Sequence, residues 1–350
     1  AILIILFPYP EQVASFIYSV FFIAIYSFII FNYRKTKLNL IQCILILSIT
    51  ICSLYPLILN FKIVVLKYIL SAISLLYICV VKPTIQKNNN ASLTILIINL
   101  VMLLSLYNYN PIENRLSIIN GDPNYTALFY FCTSYVAIKL TTKKIIKLIS
   151  ILTFVYICYV TGSRMILLMA LFFILSFFPI SKYIIKNKKI CYCIFVASVV
   201  LQPILAYLPN IDIILSQLFP YSADGSRLLN LADSSNFKRI IAAKDAIDFL
   251  LNFEAFFVGS NDYVAEANVM VIPHHWVLLP AVTYGAIFAL LYTVMIFYCI
   301  SLVPNATQSI AILSTLFIAG AILGSVPIVN CLPIILYFSY TKNENNSSIN

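Results

Sequence analysis

The sequence has little charge and little glycine for a chain of 350 residues. Only 10% of its residues are charged, seven are glycine, two are histidine and one is tryptophan. A soluble globular domain carries about 25% charged residues, so the composition excludes an ordinary soluble globule. The scarcity of glycine argues against helix packing that depends generally on glycine, although Gly320 and Gly324 have the spacing of a small-residue contact.

Pairs or clusters of cysteine with metal-ligand spacing are also lacking. All nine cysteines lie in or at the ends of apolar runs, and no CxxC motif or cysteine–histidine cluster occurs. This distribution favours small residues of a membrane core over a disulfide framework or a zinc site. We therefore expect no metal site built on these cysteines.

Apolar residues make up 62% of the chain, and the mean hydropathy is +0.98. Most of the apolar runs are long enough to cross a bilayer core of ~30 Å, which predicts membrane-spanning helices. The predicted spans are 13–32, 38–58, 63–81, 92–107, 124–140, 145–161, 165–180, 190–208, 274–302, 308–325 and 327–340. Residues 1–7 are apolar as well and are interpreted as the end of a further helix, giving about 11–12 spans.

The charges separate to the two sides when these spans are threaded alternately through a membrane. Fourteen lysines and arginines fall on one side in short loops, and eight fall on the other. The richer side is cytoplasmic by the positive-inside rule. Eleven of the twelve acids and four of the five arginines fall on the outer side. The net charge of +10 therefore orients the chain in the membrane and does not indicate nucleic-acid binding.

These patterns predict an all-α fold, a polytopic membrane helix bundle with one long outer loop. Residues 1–208 form an N-terminal transmembrane bundle of about eight spans, 209–273 the large loop, and 274–350 the C-terminal spans with a short cytoplasmic tail. Within the loop, apolar residues recur at helical spacing over 235–251 while the charged residues fall elsewhere, which predicts a short amphipathic helix.

Both histidines are adjacent, His274 and His275, where the long loop returns to the membrane. An interfacial histidine is often structural. However, the chain has no other histidine, and this pair borders the charge-rich loop. A neutral imidazole there is suited to accept a proton from an attacking hydroxyl, a role for which the loop carboxylates Asp248 and Glu254 are the alternative.

Arginine on the outer side is the second candidate feature. Arg164 lies in the turn Thr161-Gly162-Ser163-Arg164 between two spans, and Arg239 lies on the loop helix. A guanidinium at headgroup level matches a phosphate or pyrophosphate through paired hydrogen bonds, although a snorkelling role is the simpler interpretation of Arg164. Arg227 is a further candidate for the same anion, with a solvated loop charge as its alternative.

A turn before the span at 124–140 is the third candidate feature. Asp122-Pro123-Asn124 follows Gly121, and this composition is typical of a turn that starts a helix. Asp122 and Asn124 are equally consistent with binding a sugar hydroxyl.

Taken together, these motifs resemble the O-antigen polymerase (Wzy) and O-antigen ligase superfamily. The resemblance rests on the outer motifs in their order and covers about residues 90–300. They are Asp122-Pro123-Asn124, Thr161-Gly162-Ser163-Arg164, Arg239 followed by Gly259, and His274-His275 with Gly285 ten residues later. No single motif is specific. Members of the superfamily usually have Asn, Ser or Gln where this chain has His275, which leaves open which histidine acts.

The resemblance implies a multi-pass protein of the bacterial inner membrane whose long loop is periplasmic. It implies a metal-independent glycosyltransferase without a cofactor that uses undecaprenyl-pyrophosphate-linked oligosaccharide. Membrane lipids and a chain-length regulator are the further partners implied, and nucleic acid is not. His274, His275 and Arg239 are then the catalytic candidates, and Arg164, Arg227, Asn124 and Asp122 the substrate-binding ones. A polymerase of repeat units is favoured. The alternatives are a ligase acting on lipid A core and a flippase or other transporter. Paired charges at mid-membrane depth would favour a transporter, and the predicted spans contain almost none.

Overall fold

The computed structural model describes residues 11–58, 64–106, 123–175, 178, 183–184, 186–208, 234–260, 262–269, 271–304 and 307–340. Regular structure in these ranges is helical, and the predicted all-α class is confirmed. The helices are α1 (Glu11–Tyr33), α2 (Leu40–Ile58), α3 (Val64–Val81), α4 (Asn89–Leu106), α5 (Pro123–Leu140), α6 (Lys144–Thr161), α7 (Arg164–Leu175), α8 (Lys188–Ala206), α9 (Ser234–Leu250), α10 (Phe253–Val258), α11 (Tyr263–Glu266), α12 (Leu278–Tyr284), α13 (Ala286–Leu302), α14 (Gln308–Leu323) and α15 (Leu332–Ser339), with a π-helical turn at Pro327–Cys331.

The helices follow the apolar runs of the sequence closely. Within the described ranges, α3, α6 and α8 are long and apolar enough to cross a membrane, and six shorter apolar helices accompany them. Many large apolar side chains of the bundle are exposed, including Leu152 and Tyr159 on α6 and Leu171 on α7. Exposed apolar surface on this scale indicates a membrane protein.

The core is built around α14, which is buried along most of its length. Tyr68 on α3 packs edge-on against Tyr284 and Tyr292, with ring centroids 5.4 and 5.6 Å apart. The Tyr26 hydroxyl of α1 donates to the Val329 carbonyl at 2.6 Å, and the Ser71 hydroxyl of α3 donates to the same carbonyl at 2.8 Å. These hydroxyls supply donors at the π-helical turn in an apolar interior, where an unsatisfied carbonyl would be costly.

The predicted span 274–302 is not one continuous helix, and this prediction was wrong in detail. Residues 271–277, here named the return segment, are non-helical, and Gly285 separates the short α12 from α13. The φ of Gly285 is 95°, which lies far outside the right-handed helical range, so the helix cannot continue through this residue. Glycine adopts such a backbone conformation readily, whereas other residues rarely do.

Lysines from several loops meet at one end of the bundle. Lys139 lies within electrostatic range of Lys87, Lys147 and Lys186. Backbone contacts tie the same end together, since the Asn88 N–H donates to the Leu140 carbonyl at 2.8 Å. We name this the lysine end. The candidate residues that can be located lie at the opposite end, where α5 and α7 begin and α6, α8 and α14 end.

Candidate functional site

Helix α8 connects the loop helix to the return segment. The Gln202 side chain donates from Nε2 to the Arg239 carbonyl at 3.0 Å, which holds α9 against α8. One turn earlier, the Ser198 carbonyl lies 2.8 Å from His275 Nε2. Positions i and i+4 share one helix face and lie about 6 Å apart along the axis. Arg239 and His275 are therefore anchored on consecutive turns of one wall.

The imidazole of His275 is fully buried, and both of its nitrogens are used inside the protein. Nδ1 accepts the N–H groups of Val277 at 3.2 Å and Leu278 at 3.3 Å. Since Nδ1 accepts and Nε2 faces a carbonyl, the ring is neutral with its proton on Nε2. Leu278 is the first residue of α12, so the ring satisfies free N–H groups at a helix start while it fastens the return segment to α8.

Trp276 is the second anchor of the return segment. Its Nε1 donates to Ser198 Oγ at 3.3 Å, and its backbone N–H donates to the Gly320 carbonyl at 3.1 Å. A Cβ at Gly320 would lie 3.0 Å from Trp276 Cδ1 and 2.9 Å from Ile328 Cγ1. The small residue at 320 thus makes room for the indole, which gives Gly320 a structural role.

His274 is partly exposed, in contrast to its neighbour. His275 forms an isolated parallel bridge with Gly324, so the chain is extended at this point. His275 is buried against α8, whereas the Cα of the partly exposed His274 lies beside Gly324, 4.0 Å from a Cβ built there.

Two of the sequence motifs meet at the start of α5 and α7. The Ser163 hydroxyl donates to Asn124 Oδ1 at 2.7 Å and is almost fully buried. Gly162 ends α6 with a left-handed φ of 57°, and Arg164 is the first residue of α7. The side chain of Arg164 lies outside the described part, as do Asp122 and Arg227 entirely.

A short chain of contacts joins this turn to the return segment. Tyr125, which follows Asn124, donates from its hydroxyl to the Leu323 carbonyl at 3.5 Å. Leu323 ends α14 and precedes Gly324, the bridge partner of His275. Asn124, the start of α7 and the histidine pair therefore lie at the same end of the bundle.

Gly259 and Gly285, which the sequence places far from each other, are in direct backbone contact. A Cβ at Gly259 would lie 2.5 Å from the Thr283 carbonyl carbon, and a Cβ at Gly285 would lie 2.3 Å from the Phe257 carbonyl oxygen. The Ser260 N–H donates to the Val282 carbonyl at 2.8 Å. This contact locks α10 onto the α12–α13 break and so fixes the end of α12, the helix that follows the return segment.

The loop helix α9 spans residues close to those predicted, but its buried face differs. Ala242, Ala243 and Ala246 are buried, whereas Ile241 and Leu251, two of the large apolar residues in the predicted helix 235–251, are 52% and 79% exposed. Alanines carry this face because they let α9 approach α8 and α12 closely. Helical spacing alone did not distinguish the alanine stripe from the larger residues beside it.

The loop carboxylate Asp248 is engaged at the end of α8. Its Oδ1 accepts from the Tyr207 hydroxyl at 2.5 Å. Tyr207 lies nine residues after Ser198, roughly 14 Å further along α8 at 1.5 Å per residue. Asp248 is thus held well beyond the level of His275. Glu254, the other candidate carboxylate, is exposed on α10.

Sequence reasoning missed Ser198 and Gln202, which hold the site together. The signal was present, because these are the only polar side chains between Cys193 and Ala206 and they are spaced by four residues. Polar residues at that spacing in a membrane helix mark a face that contacts protein.

No family model, curated protein or solved structure matches this chain. The resemblance to the polymerase and ligase superfamily therefore stays a prediction from its motifs.

Proposed function

We propose that this chain is a bacterial inner-membrane O-antigen polymerase that joins undecaprenyl-pyrophosphate-linked repeat units at the periplasmic face. The observation that carries the proposal is that the backbone of Arg239 and the ring of His275, the neighbour of His274, are held on consecutive turns of α8. The transfer requires a cation for a pyrophosphate and an imidazole for a hydroxyl, and this arrangement brings Arg239 and His274, which are distant in sequence, to one end of the bundle.

The topology in this proposal follows from the lysine end. Lysines concentrated at one end of a helical bundle favour the cytoplasmic side. The opposite end, with α9 and the return segment, is then periplasmic, and the bundle has about 11–12 spans. This end is where a lipid-linked donor presents its sugar outside the cytoplasm.

The proposed reaction is a direct glycosyl transfer. The acceptor hydroxyl oxygen bonds to the anomeric carbon of the donor sugar, the bond from that carbon to the pyrophosphate oxygen breaks, and the hydroxyl proton passes to His274. Arg164 and Arg239 stabilise the negative charge that develops on the leaving pyrophosphate, and a guanidinium matches that group with paired hydrogen bonds.

The two histidines have different proposed roles. His275 is a positioning residue, since its nitrogens are occupied by Ser198, Val277 and Leu278. His274 is the proposed base because it is partly exposed and lies next to the anchored His275. Asp248 is a weaker candidate for the base, since it is held by Tyr207 at the end of α8.

Complementation of a polymerase-null strain tests the function, read as the lipopolysaccharide ladder on a gel. Arg239→Ala should remove the long chains through a rate loss of about 10²–10³-fold, whereas Lys238→Ala, at the adjacent exposed position, should leave the ladder intact. Arg239→Lys should rescue poorly because it lacks the paired donors. A normal ladder from Arg239→Ala at wild-type protein levels would exclude this arginine from the site.

The pattern of the ladder separates the candidate functions. When the activity is lost, retention of single capped units without long chains identifies a polymerase. Loss of all capping identifies the ligase or the flippase. His274→Ala should abolish polymerisation without loss of stability, while His275→Ala should lower the stability and the activity together. Two fully active histidine variants would contradict both assignments.

A further inference from the structure

A cavity of about 220 Å³ lies at mid-depth between α5, α6 and α7, apart from the residues described above. Its wall is apolar. The lining residues are Phe131, Ser134, Tyr135 and Ile138 on α5, Ile151, Phe154 and Val155 on α6, Ala170 and Ile174 on α7, and Phe178. We name this cavity the mid-depth groove. Apolar cavities of about 150 Å³ already accept a small hydrocarbon, so this one accommodates a segment of a hydrocarbon chain.

The groove opens toward the outside of the bundle. Its back wall is formed by the buried residues Phe131, Phe154 and Ala170, and the two phenylalanine rings pack at a centroid distance of 5.5 Å. Its rim is exposed, since Val155 is 45% and Ile174 is 43% accessible. In a membrane this rim faces lipid, so a chain enters the groove sideways from the bilayer.

The same three helices carry the polar turn at the site end. Asn124 is the second residue of α5, and Ser163 and Arg164 join α6 to α7. Phe131 lies seven residues after Asn124, roughly 10 Å along its helix, and Ala170 lies roughly 9 Å beyond Arg164. An amphiphile with its anionic head at this turn and its tail along the helices reaches the groove.

We propose that the mid-depth groove holds the polyprenyl chain of the lipid-linked substrate. The assignment rests on the proposed function, which supplies a donor with a pyrophosphate head and one very long chain. The turn at Asn124 and Arg164 gives the head a place roughly 10 Å from the groove, and the proposed function makes the lipid-linked substrate the occupant. The groove then sets the depth and rotation at which the pyrophosphate meets the site.

Binding of undecaprenyl phosphate to the full chain tests the groove, measured by native mass spectrometry from nanodiscs of phosphatidylethanolamine and phosphatidylglycerol. Ile174→Trp and Val155→Trp fill the groove from its exposed rim. Leu171→Trp is the matched control, because it is 52% exposed on the same helix but does not line the groove. We expect roughly fivefold weaker binding for both rim variants and no change for the control, since packing contacts alone distinguish the groove from surrounding lipid.

Chain length provides a second measurement. Dimethylallyl phosphate, whose single isoprene unit is too short to reach the groove, should bind the rim variants and the wild type equally. Equal binding of undecaprenyl phosphate by the wild type and both rim variants would overturn the proposal. So would a loss in the rim variants of retained phosphatidylglycerol alone, because a phospholipid chain would then be the occupant.

The ladder assay separates this proposal from the proposed function. A wild-type chain that forms no ladder but binds undecaprenyl phosphate with the expected dependence on Ile174 supports the groove and contradicts the polymerase. A ladder that forms normally in both rim variants, together with unchanged binding, supports the polymerase and overturns the groove.

Discussion

Replacing Gly285 with alanine should strongly destabilise the packing of α10 against the α12–α13 break, because two separate costs combine there. An alanine at the φ of 95° costs roughly 1–2 kcal/mol in backbone strain. Its Cβ would also lie 2.3 Å from the Phe257 carbonyl oxygen, a backbone atom that cannot rotate away. Overpacking of this kind costs about 1–3 kcal/mol, so the total is roughly 2–5 kcal/mol.

Two other glycines separate these costs. Gly324 has a φ of 86°, but its nearest foreign atoms lie 3.9 and 4.0 Å from an added Cβ, so Gly324→Ala carries backbone strain alone. Gly320 is helical, and its added Cβ would meet Ile328 and Trp276 side chains at 2.9 and 3.0 Å, so Gly320→Ala carries overpacking alone. Each control should therefore lose less stability than Gly285→Ala.

The native cysteines provide the assay. Five of them, Cys79, Cys158, Cys191, Cys299 and Cys331, are buried and become reactive toward a thiol dye when the bundle unfolds. Thermal unfolding in detergent should give the lowest midpoint for Gly285→Ala. Equal midpoints for Gly285→Ala and Gly324→Ala would refute the backbone contact between α10 and the α12–α13 break.

Three further predictions concern the anchors and the topology. Ser198→Ala should cost about 1–2 kcal/mol and shift the emission of Trp276, the only tryptophan, because its buried N–H loses an acceptor; an unchanged spectrum would contradict that contact. Burial, and next the Asp245 charge, raise the pKa of Tyr263 to about 12, and its hydroxyl has no partner among the described residues. Tyr263→Phe should therefore leave the free energy of unfolding, measured with a chemical denaturant, unchanged or raise it by up to about 1 kcal/mol. A clear loss of stability would show that the Tyr263 hydroxyl has a hydrogen-bond partner. In a cysteine-free background, an impermeant reagent on intact cells should label Lys244→Cys and not Lys186→Cys, and the reverse would invert the proposed topology.

Helix positions were predictable from the sequence because their signals are local. The bounds of α3, Val64–Val81, and α6, Lys144–Thr161, differ from the predicted spans by one residue at most. An apolar run next to lysines or a turn defines such a helix regardless of its neighbours. The same reasoning identified the turn at Asn124 and the adjacent histidines as candidate features.

The partners of those candidates were not predictable, because partners come from distant parts of the chain. The hydrogen bond between Ser163 and Asn124 spans 39 residues, and that between His275 and Ser198 spans 77. Periodicity defines the face of a helix but not the element that the face meets. The buried alanines of α9 were missed for the same reason.

The sequence by itself determined the class of the protein, its helices and the residue types available at one end of the bundle, because composition and apolar periodicity act locally. The tertiary structure alone decided that the predicted span 274–302 is broken at Gly285 and that the two histidines differ. His275 is buried with both nitrogens occupied, and His274 is partly exposed. Adjacent residues of the same type differ in this way because packing against α8 and α14, and not residue identity, sets which side of an extended chain is buried.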